Sequence, residues 1–150
     1  MNATIGFATI HDLPAMADLL AELFALEADF QPDRKKQLAG LKLILDNPAR
    51  GRLFALRVDG NIAGMANALI TVSTAEGGRV LLLEDVIVKA EYRGVGYGQQ
   101  LVEYVLVWAH EAGMSRVTLL SDKDNTSALG FYKRLGFQPS AMTVLRRKLH

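Results

Sequence analysis

The run Val80 to Val88 is apolar except for two adjacent acids, Glu84 and Asp85, and is followed closely by Arg93-Gly94-Val95-Gly96-Tyr97-Gly98. A Val/Leu/Ile run of this length suits a strand buried on both faces. From Gly98 onward, Leu101, Val102, Val105, Leu106 and Ala109 recur at helical spacing. A covered strand that turns through glycines into a helix requires helices laid over a sheet, an α/β architecture. At such a turn, consecutive backbone N–H groups and the positive end of the helix dipole can receive an anionic phosphate. Alternate glycines keep the backbone bare, and Arg93 adds a guanidinium suited to bidentate phosphate bonding.

The rest of the chain fits around this unit. Thr4 to Thr9 reads as a first strand, and Asp12 can cap a helix carrying Leu13, Met16, Leu19, Leu20, Leu23 and Phe24 and fading near Ala28. Pro32 is placed to open a second helix with Leu38, Leu41 and Leu45 on one face, stopped by Asn47-Pro48. Leu53 to Val58 and Ile62 to Val72 flank Asp59-Gly60-Asn61 and predict a tight antiparallel hairpin. The polar stretch Ser73 to Arg79 leads into the buried strand. Gly113 can close the long helix, and Arg116 to Ser121 reads as a further strand. Asn125 can cap a short helix with Ala128, Leu129, Tyr132 and Leu135, ended by Gly136. Strand-like material around Phe137 and from Met142 to Leu149 finishes the chain.

At 150 residues and 50% hydrophobic, the chain suits one domain, 1–150, with no repeat or linker. A net charge of +1 supplies no field that would draw it to nucleic acid or an anionic membrane. Arg146-Arg147-Lys148 reads as the charged edge of a last strand, so no nucleic-acid partner is expected. Without cysteine there is no disulfide, thiolate zinc site or cysteine nucleophile, and the three scattered histidines form no ligand pattern, so no metal is expected. No signal-peptide pattern or membrane-length apolar run occurs, so the expectation is a soluble, cytoplasmic protein.

The glycine turn alone admits several guests. Dinucleotide binding requires Gly-x-Gly-x-x-Gly directly after the strand, but Lys89 to Arg93 intervene and Gln99 occupies the third glycine position. A nucleoside triphosphate loop ends in Gly-Lys-Ser/Thr, whereas this turn ends Gly98-Gln99-Gln100. Ser115 lacks the second glycine of a nucleophile elbow. Instead, Arg93-Gly94-Val95-Gly96-Tyr97-Gly98 resembles the Arg/Gln-x-x-Gly-x-Gly/Ala acetyl-CoA signature of GNAT acetyltransferases. Asn125, Ala128 and Phe131-Tyr132-Lys133-Arg134-Leu135-Gly136-Phe137 resemble that family's second block. The order of elements is similar along essentially the whole chain. The resemblance implies the GNAT fold, a mixed and mostly antiparallel sheet with splayed middle strands flanked by helices.

The function implied is N-acetyl transfer from acetyl-CoA to a primary amine of a small molecule or peptide, by direct attack. An alkylamine is neutral only about one part in a thousand near pH 7, about 4 kcal/mol of barrier, so a base helps. Glu84 is the leading candidate because desolvation in so apolar a run raises carboxylate basicity. Asp85, expected on the opposite face, is the other carboxylate, and either could instead be a paired structural acid. The Leu-Glu-Asp sequence is similar to that of polyamine-acetylating members, in which Glu84 matches the proposed base. Tyr132, a phenol ordinarily titrating near 10, can protonate the departing thiolate or serve as aromatic packing. It matches the family's general-acid tyrosine.

By resemblance, Val86, Ile87 and Val88 hydrogen-bond the pantetheine arm where the next strand splays away. Arg93, Gly94, Val95, Gly96, Tyr97, Gly98 and Gln99 cradle the pyrophosphate, Asn125 and Tyr132 contact the cofactor, and Arg134 reaches a CoA phosphate. The first two helices and the loop between the third and fourth strands border the acceptor site. Glu27, Asp29, Phe30 and Glu76 thereby join Glu84 and Asp85 as candidate contacts for a cationic amine. Polyamine, amino acid, aminoglycoside and peptide acceptors all remain open. The family's habit implies a homodimer. The competing expectation is a CoA-binding regulatory module without turnover.

Overall fold

The Asp59-Gly60 turn organises the sheet. Both residues lie at positive φ, 50° and 84°, which matches the right-handed twist of a two-residue hairpin. In this computed structural model, which describes residues 2–27 and 29–150, the turn joins β2 (Gly51–Val58) to β3 (Asn61–Ser73). β1 (Ala3–Phe7) pairs antiparallel with β2, and β4 (Gly78–Val88) pairs antiparallel with β3. β5 (Val117–Leu119) lies parallel to β4, so the sheet order is β1-β2-β3-β4-β5. This is the mixed, mostly antiparallel sheet expected.

The helices are α1 (Leu13–Leu26), α2 (Arg34–Leu45), α3 (Tyr97–Glu111) and α4 (Thr126–Arg134). The described residues fall into two compact units, Met1–Leu120 and Ser121–His150. In the first, Leu13, Met16, Leu20 and Leu41 bury themselves with Leu53, Ala55, Met65 and Ile87, which lays α1 and α2 on one sheet face. Phe54, between Leu53 and Ala55, points to the other face by strand alternation. There its ring meets Tyr104 and Trp108 of α3 at 6.0 and 5.3 Å, edge to face. Complete burial of such a ring contributes about 2–3 kcal/mol. With α1 and α3 both packed on β4, its continuous apolar run is explained.

Several local expectations are corrected. Asp12 occupies the N-cap position of α1, yet its side chain does not cap the helix. Its carboxylate accepts from Arg57 Nη1 at 2.8 Å and Nη2 at 2.5 Å and from the Thr9 N–H at 2.7 Å. The Arg57 guanidinium holds this carboxyl below its ordinary range despite burial. Pro32 does not open α2; Asp33 caps it, accepting from the Lys36 N–H, while Gln37 Oε1 accepts from the Asp33 N–H. α1 ends at Leu26, and Ala28, where it was expected to fade, lies outside the described residues. The strand expected over Arg116 to Ser121 is only Val117–Leu119.

In the second unit, Asn125 caps α4 by accepting from the Ala128 N–H at 3.0 Å, and Gly136 ends it at φ 94°. The terminal strands do not form: among the described residues no strand follows α4. Met142, Val144, Leu145 and Leu149 are exposed. Alternation along one segment stabilises a strand only where a neighbouring edge takes its backbone groups and a surface takes its apolar face.

Candidate active site

Where β4 leaves β5, the sheet opens. The parallel ladder joins only Leu81, Leu82 and Leu83 to Val117, Thr118 and Leu119, although β4 continues to Val88. Among the described residues, the β5-facing edge from Glu84 to Val88 therefore has no strand partner, which is the splay expected. Val86 is partly exposed, while Ile87 and Val88 are buried. On the β3 side the register slips: Asn67 pairs with Glu84 but Met65 with Ile87, so Ala66 faces both Asp85 and Val86. Such a bulge re-aims side chains locally.

After β4 a single 3-10 turn, Ala90–Tyr92, delivers the chain to the glycines. Gly94 and Gly96 sit at φ 83° and 92°, where a side chain would be strained, and a Cβ on either would stand in open space. Gly96 is the N-cap of α3, and no side chain caps this end. The N–H groups of Tyr97, Gly98 and Gln99 at the first turn have no intrahelical acceptor, the condition for receiving an anion. Tyr97 is buried, so only its backbone serves the turn; Val95 is exposed, and the Gln99 side chain donates to Glu103 along the helix at 3.0 Å. Arg93, the residue expected to grip phosphate, is held within the chain. Its Nε donates to the Val88 carbonyl at 2.6 Å and its Nη2 to Glu22 Oε1 at 3.0 Å, tying the turn to the end of β4 and to α1.

Glu84 and Asp85 differ in environment. Asp85 lies at φ 54° in the bulge, so the alternation that would send adjacent side chains to opposite faces is broken there. Its Oδ2 accepts from Asn67 Nδ2 at 2.5 Å. Burial, and then the neighbouring Glu84 charge, push the Asp85 carboxyl up to about 6, with the Asn67 hydrogen bond acting the other way. The desolvation argument made for Glu84 thus applies in the structure to Asp85. Asn67 escaped the sequence reading; its signal was a lone amide within the apolar stretch Met65-Ala66-Asn67-Ala68-Leu69.

Of the acceptor-side candidates, Glu27 directly follows α1 and Asp29 is exposed on the same connection. The Phe30 ring packs on Phe24 at 5.5 Å between centroids. Glu76 lies in the β3–β4 turn, its N–H donating to Ser73 Oγ. Asn125, Tyr132 and Arg134 belong to the second unit. There the Tyr132 ring packs edge-on against Phe131 and Phe137 at 5.1 and 5.8 Å. The packing role considered for Tyr132 is therefore real, and its hydroxyl is a separate matter.

Comparison with known proteins bears on these features. Over 118 residues, 79% of this chain and 44% of the other, the sequence is 32% identical to YobR, an uncharacterised N-acetyltransferase of Bacillus subtilis. It is 41% identical over 61 residues to a thialysine N-epsilon-acetyltransferase of Bos taurus, covering 41% of this chain and 36% of that protein. The chain spans about half the length of the curated relatives it matches. A crystal structure described as a possible acetyltransferase from Clostridium difficile superposes with a TM-score of 0.89 over 100% of this chain and 99% of that one. At 19% identity that likeness establishes the fold alone. Residues 5–137 match the acetyltransferase (GNAT) family pattern. With the open β4 edge and the glycine turn lying inside that match, the chain belongs to the GNAT acetyltransferase family.

Proposed function

We propose that this chain is an acetyl-CoA-dependent N-acetyltransferase, acting as one domain over 1–150 on a primary amine of a small molecule or peptide. The observation that carries the reading is the turn at Gly94 and Gly96. Two positive-φ glycines with clear space where side chains would stand lead into an uncapped helix N-terminus, beside a strand edge open from Glu84 to Val88. That arrangement fits a diphosphate followed by an amide-bearing arm. Bound there, acetyl-CoA supplies the activated acetyl group.

The cofactor set proposed is Val86, Ile87 and Val88 on the strand edge, Arg93 to Gln99 at the turn, and Asn125, Tyr132 and Arg134. Arg93 serves by holding the turn in shape. Glu84 meets the cationic amine, and the Glu84–Asp85 pair draws its proton; Glu27, Asp29 and Phe30 complete the acceptor side. Tyr132, by its place in the family motif, gives its hydroxyl proton to the departing sulfur. The relative named for thialysine puts small aliphatic amines first among acceptors to be tried. Cytoplasmic location and a homodimer belong to the same proposal, by family habit; among the described residues no helix is long and apolar enough to cross a membrane.

A CoA-binding regulatory module would need the turn but not a desolvated carboxylate, and the Asp85 environment therefore favours the enzyme. Thermal unfolding with acetyl-CoA, CoA, NAD and ATP, followed by thiol release across an amine panel, tests the choice. Stabilisation by acetyl-CoA and CoA with amine-dependent thiol release is expected. Binding without release from any amine supports the regulatory module, and stabilisation by NAD alone overturns both.

A further inference from the structure

Asn67 combines features that packing alone does not require. It is 3% exposed in the middle of β3, and its Oδ1 is buried without a hydrogen-bond partner among the described residues, while its Nδ2 donates to Asp85. An unsatisfied buried amide oxygen is costly, and an apolar side chain would remove the cost. The same spot holds a partly buried carboxylate, Asp85, on a backbone at positive φ in a bulge. Costs concentrated at one point in a sheet mark a functional constraint.

We propose that Asn67 is the positioning residue that lets Asp85 accept and hold the proton lost by the substrate amine. Its amide donates from Nδ2 to the ionised carboxylate and, turned over, accepts at Oδ1 from the protonated one. An amide alone among neutral side chains of this size offers a strong donor and a strong acceptor on one rigid plane. A lysine or arginine in its place would lock Asp85 in the ionised form, and a leucine would leave neither form a partner. The step is R–NH3+ with Asp85–COO− giving R–NH2 with Asp85–COOH. The freed nitrogen lone pair is then available for attack, and the proton passes to water before the next turnover. Glu84, next in the chain, faces the ammonium and shares its charge with the pair. β3 and β5 carry no titratable side chain; α1 carries Asp18 and Glu22, paired with Arg34 and Arg93, and α3 carries Glu103, His110, Glu111 and two tyrosines. On its own strand, the neighbouring Glu84 charge pushes Asp85 up.

The inference rests on the acetyl-transfer reading, and its first test does not. Carbon-13 carboxyl and side-chain amide NMR of the ligand-free protein should show Asp85 titrating with a midpoint near 6 and the Asn67 amide resonances moving at the same midpoint. Asn67 resonances that ignore the Asp85 transition overturn the proposal. In turnover, Asn67→Leu, or Asn67→Ala should leucine not be accommodated, should move the acidic limb of the kcat/KM profile up by about one pH unit, because the ionised form loses the stronger bond. Affinity for acetyl-CoA should be unchanged. A folded variant whose limb stays in place also overturns the proposal. Absence of turnover with every amine removes the proposed source of the proton, a failure distinct from loss of co-titration.

Discussion

At Asp85 a carboxylate is half-buried beside a like charge, on a backbone at φ 54°, hydrogen-bonded to the Asn67 amide. Its folded-state value, raised to about 6, sets the sign of its effect on stability. Below the unfolded value near 4 both states are protonated and nothing is lost. As pH rises from about 4 through 6 the unfolded chain ionises while the folded chain still holds its proton, and stability falls by about 3 kcal/mol in all. Asp85→Asn, which tolerates positive φ and can still accept from Asn67, should therefore raise unfolding free energy by up to about 3 kcal/mol at pH 8 and leave it nearly unchanged at pH 3.5. Urea titrations at the two pH values measure this, and an equal gain at both would assign the effect to packing. Tyr132 calls for a different substitution. Its ring packs between Phe131 and Phe137, so Tyr132→Phe keeps the packing and removes only the hydroxyl. Turnover should fall about 100-fold with acetyl-CoA affinity within about twofold, read by steady-state kinetics and calorimetry. Unchanged turnover would leave the ring a packing role alone.

At the scale of elements, the glycine turn and α3 act as one device, since the turn's conformation aims the uncapped N–H groups. A Cβ at Gly96 meets no neighbouring atom within 4 Å, yet Gly96→Val places a β-branched residue at φ 92°. The folded chain should relieve the strain by distorting the first turn of α3. Acetyl-CoA affinity should drop more than 10-fold and the melting temperature by a few degrees, measured by calorimetry and thermal unfolding. A folded variant with native affinity would contradict the cradle. Arg93 belongs at this scale too: through Val88 and Glu22 it joins β4, the turn and α1. Its sequence context pointed to phosphate because the turn was visible and Glu22, distant in the chain, was not. The bulge in β4 follows the same logic. It exists only in the pairing of β4 with β3, so alternation along β4 alone sent Glu84 and Asp85 to opposite faces.

For the whole molecule, ligand linkage is the most direct readout. A cofactor bound by the folded chain and not by the unfolded one should, at 100 times its dissociation constant, add about 2.7 kcal/mol of stability. For a chain of this size the melting temperature should rise by several degrees, read by scanning fluorimetry. No shift with acetyl-CoA or CoA would remove the basis for placing either at the turn. Much of the architecture was legible in local signals. The Asp59-Gly60 turn, the helical spacing of α1 and α3 and the Asn125 cap depend on neighbours a few residues away, and each formed as read. The sequence by itself determined which segments turn, coil or extend and where an anion could be received, because backbone sterics and short-range periodicity decide those. Only the tertiary structure decided which acid is desolvated, which partner Arg93 takes, that Asp12 serves Arg57 and that 137–150 forms no strand. Burial, pairing and electrostatic environment depend on groups far apart in the chain, and these exist only once the sheet has assembled.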